Sequence, residues 1–283
     1  MILQYGKGYL IAKGIPMFRT IRNIVLATAA ASSVPFSVAA QTSKSPLEAA
    51  AAPTVKNIVL VHGAFADGSG WRAVYQNLTA RGYHVSIVQN PLTSLADDVA
   101  ATQRVLDQQN GPTVLVGHSW GGTVITEAGV HPNVRGLVYV SALSPDAGET
   151  TAQQYDGYTT PPEFVIETSK DGFGFIKPDT FAAGFAADAS KADAAFLNIS
   201  QVPVKMSAFG TKLQHSAWRT KPSWAVIATQ DKAFDQRMLQ DMAKRIGAKI
   251  TNVPASHAVF FTQPKAVADV IDEAARQSLA AAR

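Results

Sequence analysis

The sequence predicts an α/β protein: a mostly parallel, doubly wound sheet interrupted by one insertion. Three observations predict it. Apolar runs that suit buried parallel strands recur along the chain, each followed by a helical pattern. This alternation lapses only once, between Ser144 and about Pro222. And Gly117-His118-Ser119-Trp120-Gly121-Gly122 stands where one of the strands passes into a helix. Right-handed crossovers place all such strands parallel in one sheet, with helices on both faces and the active site beyond the strands' carboxyl ends.

In order, Lys56 to Gly63 is the first strand, Ala64 to Gly70 a Gly-rich loop, and Trp71 to Ala80 a helix ended by Gly82. Tyr83 to Gln89 is the second strand. Ser94-Leu95-Ala96-Asp97 can cap a helix running to about Gln109, which Asn110-Gly111-Pro112 stops. Thr113 to Val116 is the third strand, and Gly122 to Ala128 falls in the helix that follows it. Arg135 to Ala142 is the fourth strand. After the insertion come a strand from Trp224 to Thr229, a helix from Phe234 to Gly247, a strand from Lys249 to Val253 and a closing helix from Pro264 to Ala281. Within the insertion, Asp179 to Ser200 is Ala-rich and reads as helical.

The 283 residues suit one domain with a large core, and 47% hydrophobic and 16% charged content fit a globular chain. With no cysteine, disulfides and thiolate metal sites are excluded, and no metal is expected. Met17-Phe18-Arg19-Thr20-Ile21-Arg22, the apolar stretch Ile24 to Val34 and Val38-Ala39-Ala40 read in turn as the charged start, apolar centre and small-residue cleavage site of a secretory signal. Residues 1–40 are therefore expected to be a removed signal peptide, with Met17 the expected start, and the mature protein to be periplasmic or secreted, without an integral membrane span. Residues 41–54, rich in Ala, Ser and Pro, read as a flexible tether. Residues 55–283 are the folded domain, its cap at about 144–222. Lys7, Lys13, Arg19 and Arg22 lie in the signal with no acid beside them, and they account for the whole net charge of +4. The domain itself is neutral by this count, so charge supports no nucleic-acid partner.

The chemistry centres on Ser119. G-x-S-x-G between a strand and a helix is a sharp turn that tolerates nothing bulky two residues to either side, and it lifts the serine hydroxyl above the sheet. A serine hydroxyl needs a base. His257, in Ser256-His257-Ala258 just beyond the last strand, is the best placed of the six histidines. The base needs a carboxylate to set its tautomer. Asp231, just past the strand Trp224–Thr229, is the choice, with Asp146 and Asp235 as rivals. The order Ser119, Asp231, His257 is the nucleophile–acid–base order of this architecture. The Trp120 amide points where an oxyanion would form, and the Ala64 amide, with Phe65 as second choice, is the expected partner donor. A residue beside a serine in a tight turn points elsewhere, so His118 is not a second base. Phe65 and His118 are the candidate substrate contacts.

Val61-His62-Gly63-Ala64, the Gly117–Gly122 stretch, Asp231 and Ser256-His257 together resemble the α/β-hydrolase superfamily. Asp67-Gly68-Ser69-Gly70-Trp71 and Ser94-Leu95-Ala96-Asp97-Asp98 resemble its small bacterial esterase-like members, which are similar to plant methylesterases and hydroxynitrile lyases. The resemblance covers Lys56 onward. It implies the α/β-hydrolase fold, with a cap inserted between the strands ending near Ala142 and beginning near Trp224. It also implies the triad and a cofactor-free mechanism. It departs at the start, where the antiparallel hairpin that often opens the fold has no room. Phe164, Phe173, Phe175, Phe181, Phe185 and Phe196 are concentrated in the insertion. An apolar cavity mouth favours a small hydrophobic ester or lactone as substrate. A hydroxynitrile-lyase-like reaction is the alternative, although Ala258 stands where such a lyase would carry lysine. Perhydrolase or haloperoxidase side chemistry and a ligand-sensing protein with a slow triad are the other readings. An aspartate-nucleophile hydrolase is excluded by Ser119.

Overall fold

The computed structural model describes residues 55–279; the expected signal segment and tether lie outside the described residues. The central strands are β1 (Asn57–Val61), β2 (His84–Val88), β3 (Thr113–His118) and β4 (Val134–Val140). They alternate with α1 (Arg72–Thr79), α2 (Leu95–Asp107) and α3 (Trp120–Ala128). The insertion carries β5 (Ile166–Thr168), β6 (Phe173–Ile176), α4 (Pro178–Phe185), α5 (Lys191–Ile199) and β7 (Val204–Lys205). The alternation resumes with β8 (Ser223–Ala228), α6 (Gln236–Arg245), β9 (Lys249–Val253), the short α7 (Val259–Thr262) and α8 (Pro264–Gln277).

Six strands form one all-parallel sheet in the order β2-β1-β3-β4-β8-β9. Every residue of β1, β3 and β8 is buried, while the edge strands β2 and β9 are partly exposed. That is why the central strands read as unbroken apolar runs: both faces carry helices. The chain runs outward from β1 to β2 and then returns past β1 to β3, so the direction of winding reverses between β1 and β3. The crevice at such a switch point is where sheets of this kind carry their sites. Local rules hold along the way. Ser94 N-caps α2, its hydroxyl accepting from the Asp97 amide at 3.0 Å.

Two features of the insertion differ from expectation. The single helix over Asp179 to Ser200 is two helices, because Ser190 starts a new one by capping the Asp193 amide at 3.1 Å. And β5, β6 and β7 form a small antiparallel sheet that the sequence reading lacked. Strands of three, four and two residues are too short to show a period. Among the described residues, no helix is long and apolar enough to cross a membrane.

Candidate active site

Two strand registers assemble the site. Pairing of β1 with β3 sets Val61 opposite Gly117, so His62-Gly63-Ala64 leaves the sheet beside His118-Ser119-Trp120. Pairing of β8 with β9 sets Ala228 opposite Val253, so the segments holding Asp231 and His257 leave neighbouring strands at one end.

Ser119 has φ +52° and ψ −120°, a left-handed conformation that a side chain adopts only under constraint. The constraint is the space around it. A Cβ on Gly117 would lie 2.4 Å from the Gly121 carbonyl oxygen, and one on Gly121 would lie 2.6 Å from the Val61 carbonyl oxygen. Across the crevice, a Cβ on Gly63 would meet the Ser119 Cβ at 2.8 Å. At Gly117 and Gly121 backbone approaches backbone, and at Gly63 the serine's own Cβ stands in the way, so glycine alone fits without a shift.

His257 Nδ1 and Asp231 Oδ2 are 2.7 Å apart, both buried. A carboxylate can only accept here, so Nδ1 carries the proton, and in the neutral ring Nε2 is the nitrogen with the lone pair. The other Asp231 oxygen accepts from the amides of Ala233 at 2.7 Å and Phe234 at 3.1 Å, which fixes the carboxylate. The rivals lie elsewhere. Asp146 is taken up by Ser216 and Arg219, and Asp235 N-caps α6 and pairs with Arg237 at 2.8 Å. The arginine beside each holds its carboxyl well below the usual range.

The amides of Ala64 and Trp120 find no acceptor among the described residues. His62 explains the first. Its Nε2 accepts from the Asn90 amide at 2.9 Å, so Nδ1–H donates to the Gly63 carbonyl, also at 2.9 Å. A planar trans peptide then turns the Ala64 N–H the opposite way. Trp120 opens α3, where N–H groups have no partner within the helix. The Phe65 amide, the second candidate, likewise finds no acceptor among the described residues. Phe65 itself has φ +61°, is buried, and sets its ring 6.0 Å from the cap's Phe164. Phe164, Phe185 and Phe234 surround the His257 ring, with centroids 6.3, 5.1 and 5.0 Å away.

His118, expected as a substrate contact, is fully buried beside the His257 ring. Its Nε2–H donates to the His257 carbonyl at 3.0 Å, and its ring lies 4.6 Å from that of His257. Burial, and the nearby His257, hold it neutral by lowering its pKa well below the ordinary value. The turn points it away from the serine and so into the loop beneath the base. Sequence reading placed Asp98 of α2 in the Ser94–Asp98 stretch but gave it no role. It is fully buried, and its carboxylate accepts from the Trp120 indole at 2.7 Å and the Leu92 amide at 2.8 Å. Desolvation pushes its pKa up to about 6 against the pull of those two bonds. Nothing local shows what it binds, because its partners, Leu92 and Trp120, lie outside that stretch. Among the described residues, no group of three or more metal-ligating side chains could hold a metal ion.

A sequence model of the "Alpha/beta hydrolase family" matches residues 58–270, from β1 into the closing helix. The chain belongs to the alpha/beta hydrolase family. This alpha/beta hydrolase is 27% identical over 260 residues to a pyrethroid hydrolase of Sphingobium wenxiniae, covering 77% of this chain and 87% of that one. It is 31% identical over 109 residues to a carbendazim hydrolyzing esterase of a Nocardioides species, covering 33% of this chain and 45% of that one. Among solved structures it is similar to a pyrethroid hydrolase (TM-score 0.69, 23% identity, 81% of this chain and 100% of that one). It is also similar to a polyneuridine aldehyde esterase (TM-score 0.64, 18% identity, 77% and 98%). At these identities the structural likeness speaks for the fold. With hydrolases and esterases as its relatives, the chain is an enzyme of the alpha/beta hydrolase class.

Proposed function

We propose that this alpha/beta hydrolase is a serine esterase that cleaves a small hydrophobic carboxylic ester or lactone through an acyl-enzyme. The observation that carries the reading is the buried 2.7 Å contact between His257 Nδ1 and Asp231, which leaves Nε2 available as a base for Ser119, held in its strained turn. Ser119 Oγ attacks the ester carbonyl carbon as His257 Nε2 takes its proton. The Ala64 and Trp120 amides, which have no acceptor of their own, receive the carbonyl oxygen as it becomes an oxyanion. The tetrahedral species collapses and the alcohol leaves with the proton from His257. Water, deprotonated by the same nitrogen, then releases the acid and restores Ser119. Asp231 keeps the imidazole in the required tautomer and stabilises its charged form. Phe65, Phe164, Phe185 and Phe234 supply apolar walls, which favours a hydrophobic substrate. The relatives named a pyrethroid hydrolase and a carbendazim hydrolyzing esterase support hydrolysis of a small molecule. No cofactor enters this cycle. The signal-like segment Met17 to Ala40 supports an exported enzyme.

The test is a chain-length series of p-nitrophenyl esters with wild type and Ser119→Ala. Removing the serine should cost several orders of magnitude in kcat, leaving about 10³–10⁴-fold over water from the oxyanion donors and binding alone. A Ser119→Ala protein with near wild-type turnover would place the nucleophile elsewhere. Stoichiometric release without turnover in wild type would favour a ligand sensor.

A further inference from the structure

The insertion does more than lie over the site: it holds the segment that carries the base. His257 sits between two residues that both reach the cap. On one side, the Ala258 amide donates to the Phe185 carbonyl at 2.9 Å, at the C-terminal end of α4. On the other, the Ser256 hydroxyl lies 3.3 Å from that carbonyl and contacts the Asp188 carboxylate. A hydroxyl has one proton, and the charged acceptor takes it. So Ser256 is tethered to Asp188 while Phe185 keeps Ala258. The Phe185 ring also stands edge-on to the His257 ring at 5.1 Å.

These contacts act on the part of the site where catalysis is most sensitive to position. His257 is held from below by His118 on its carbonyl and from behind by Asp231 on Nδ1. His118 holds the 257–258 peptide by its carbonyl; the cap holds the same peptide by its amide, through Phe185, and ties down the Ser256 side chain on the other flank, so it too opposes movements of this segment that would swing Nε2 relative to Ser119. Asp188 itself is exposed, in the Ala186–Ser190 link between α4 and α5, where an acid has no other evident structural work. Ser256 is buried beside it.

We infer that Asp188 and Ser256 are positioning residues of the proposed triad, through which the cap sets the reach of His257 toward Ser119. The inference rests on the triad reading above. Small displacements of a catalytic group cost rate, not affinity, so the expected signature is in kcat. Leaving-group dependence gives a second signature. p-Nitrophenolate departs without a proton, whereas an alkoxide needs one from His257, so a displaced base should penalise an alkyl ester more.

The experiment compares Ser256→Ala, Asp188→Ala, the double alanine variant, Ser256→Thr and Asp188→Asn on a p-nitrophenyl ester and an ethyl ester of the same acid, with thermal melts. Each alanine variant should melt close to wild type and keep KM within about twofold, while kcat falls roughly tenfold on the p-nitrophenyl ester and further on the ethyl ester. The double variant should be no slower than the worse single one, because the pair acts as a unit. Ser256→Thr and Asp188→Asn, which keep a donor and an acceptor, should recover most of the rate. Should Ser256→Ala fail to fold, Asp188→Ala decides alone, since substitutions at exposed sites rarely unfold a protein. A kcat within twofold of wild type, equal losses on both leaving groups, or losses that multiply in the double variant would each overturn the inference. Wild type without Ser119-dependent turnover would instead overturn the triad reading itself.

Discussion

Ser119, Asp231 and His257 each depend on a neighbour that a single substitution can remove. Asp231→Asn should leave the fold intact but strand His257 in the wrong tautomer, because an amide can donate to Nδ1 where the carboxylate only accepted. The expected loss is about 10⁴ in kcat, as for the same change in a serine-protease triad. Asp146→Asn and Asp235→Asn should each cost little activity, since both carboxylates are committed to arginines away from the base. Assays of all three on one ester, with circular dichroism, decide it; a large loss in Asp146→Asn with a mild one in Asp231→Asn would reverse the assignment. Gly117→Ala is a test of a different kind. Its new Cβ would sit 2.4 Å from the Gly121 carbonyl oxygen, which belongs to a buried turn. The expected cost is about 3 kcal/mol or more, read from urea melts, because the backbone rather than a flexible side chain must move.

At the scale of elements, α2 and α3 are joined through Asp98, whose carboxylate receives the Trp120 indole proton. The cap joins the same cluster: Phe209 packs 4.7 Å from the Trp120 ring, and Lys205 of β7 donates its amide to the Leu92 carbonyl at 2.8 Å. The folded pKa of Asp98, about 6, lies above the ordinary carboxylate value, so the native state binds the proton more tightly than the unfolded chain does. Wild type should therefore gain stability relative to Asp98→Asn as the pH falls from about 6 to about 4, by up to about 1.4 kcal/mol per pH unit. This stabilisation is complete below the unfolded pKa and is lost as the pH rises through the folded one. Urea melts of both proteins across that range check it, and parallel curves would refute it. Asp146 and Asp235, held low by arginines, work in the opposite sense, but their contribution is common to both proteins and cancels in the difference.

For the whole molecule, the parallel sheet is a scaffold whose carboxyl edge gathers residues 62–65, 118–120, 231 and 257 from four separate strands. Only the β4–β8 connection is long, so the cap enters between two adjacent strands without disturbing their pairing from Leu137↔Ser223 to Val140↔Val226. A cap built this way can change its lining while the sheet stays the same, which fits relatives named for different substrates. The remaining prediction concerns the chain before the domain. Protein recovered from the native host should begin near Gln41 and be found outside the cytoplasm. Terminal sequencing checks it, and a cytoplasmic product that retains Met17 would refute it.

By itself the sequence determined the sheet and supplied the residues of the proposed triad in their order. Strands such as Thr113–His118, buried on both faces, must be apolar throughout, and short parallel crossovers leave few ways to arrange them. Ser119 was legible because its turn demands glycines at fixed offsets, and Asp231 and His257 because each follows a strand's carboxyl end. Tertiary structure alone decided what surrounds them. His118 donates to a residue 139 positions away, Asp98 accepts from one 22 away, and Ser256 reaches Asp188 across 68. Such bonds leave no local pattern, since each residue would read the same as a capping or solvated polar group until the fold sets its partner beside it. The small sheet β5–β6–β7 was hidden for a related reason. Its strands are too short for periodicity, and they exist because pairing across the cap satisfies backbone groups that no local turn could.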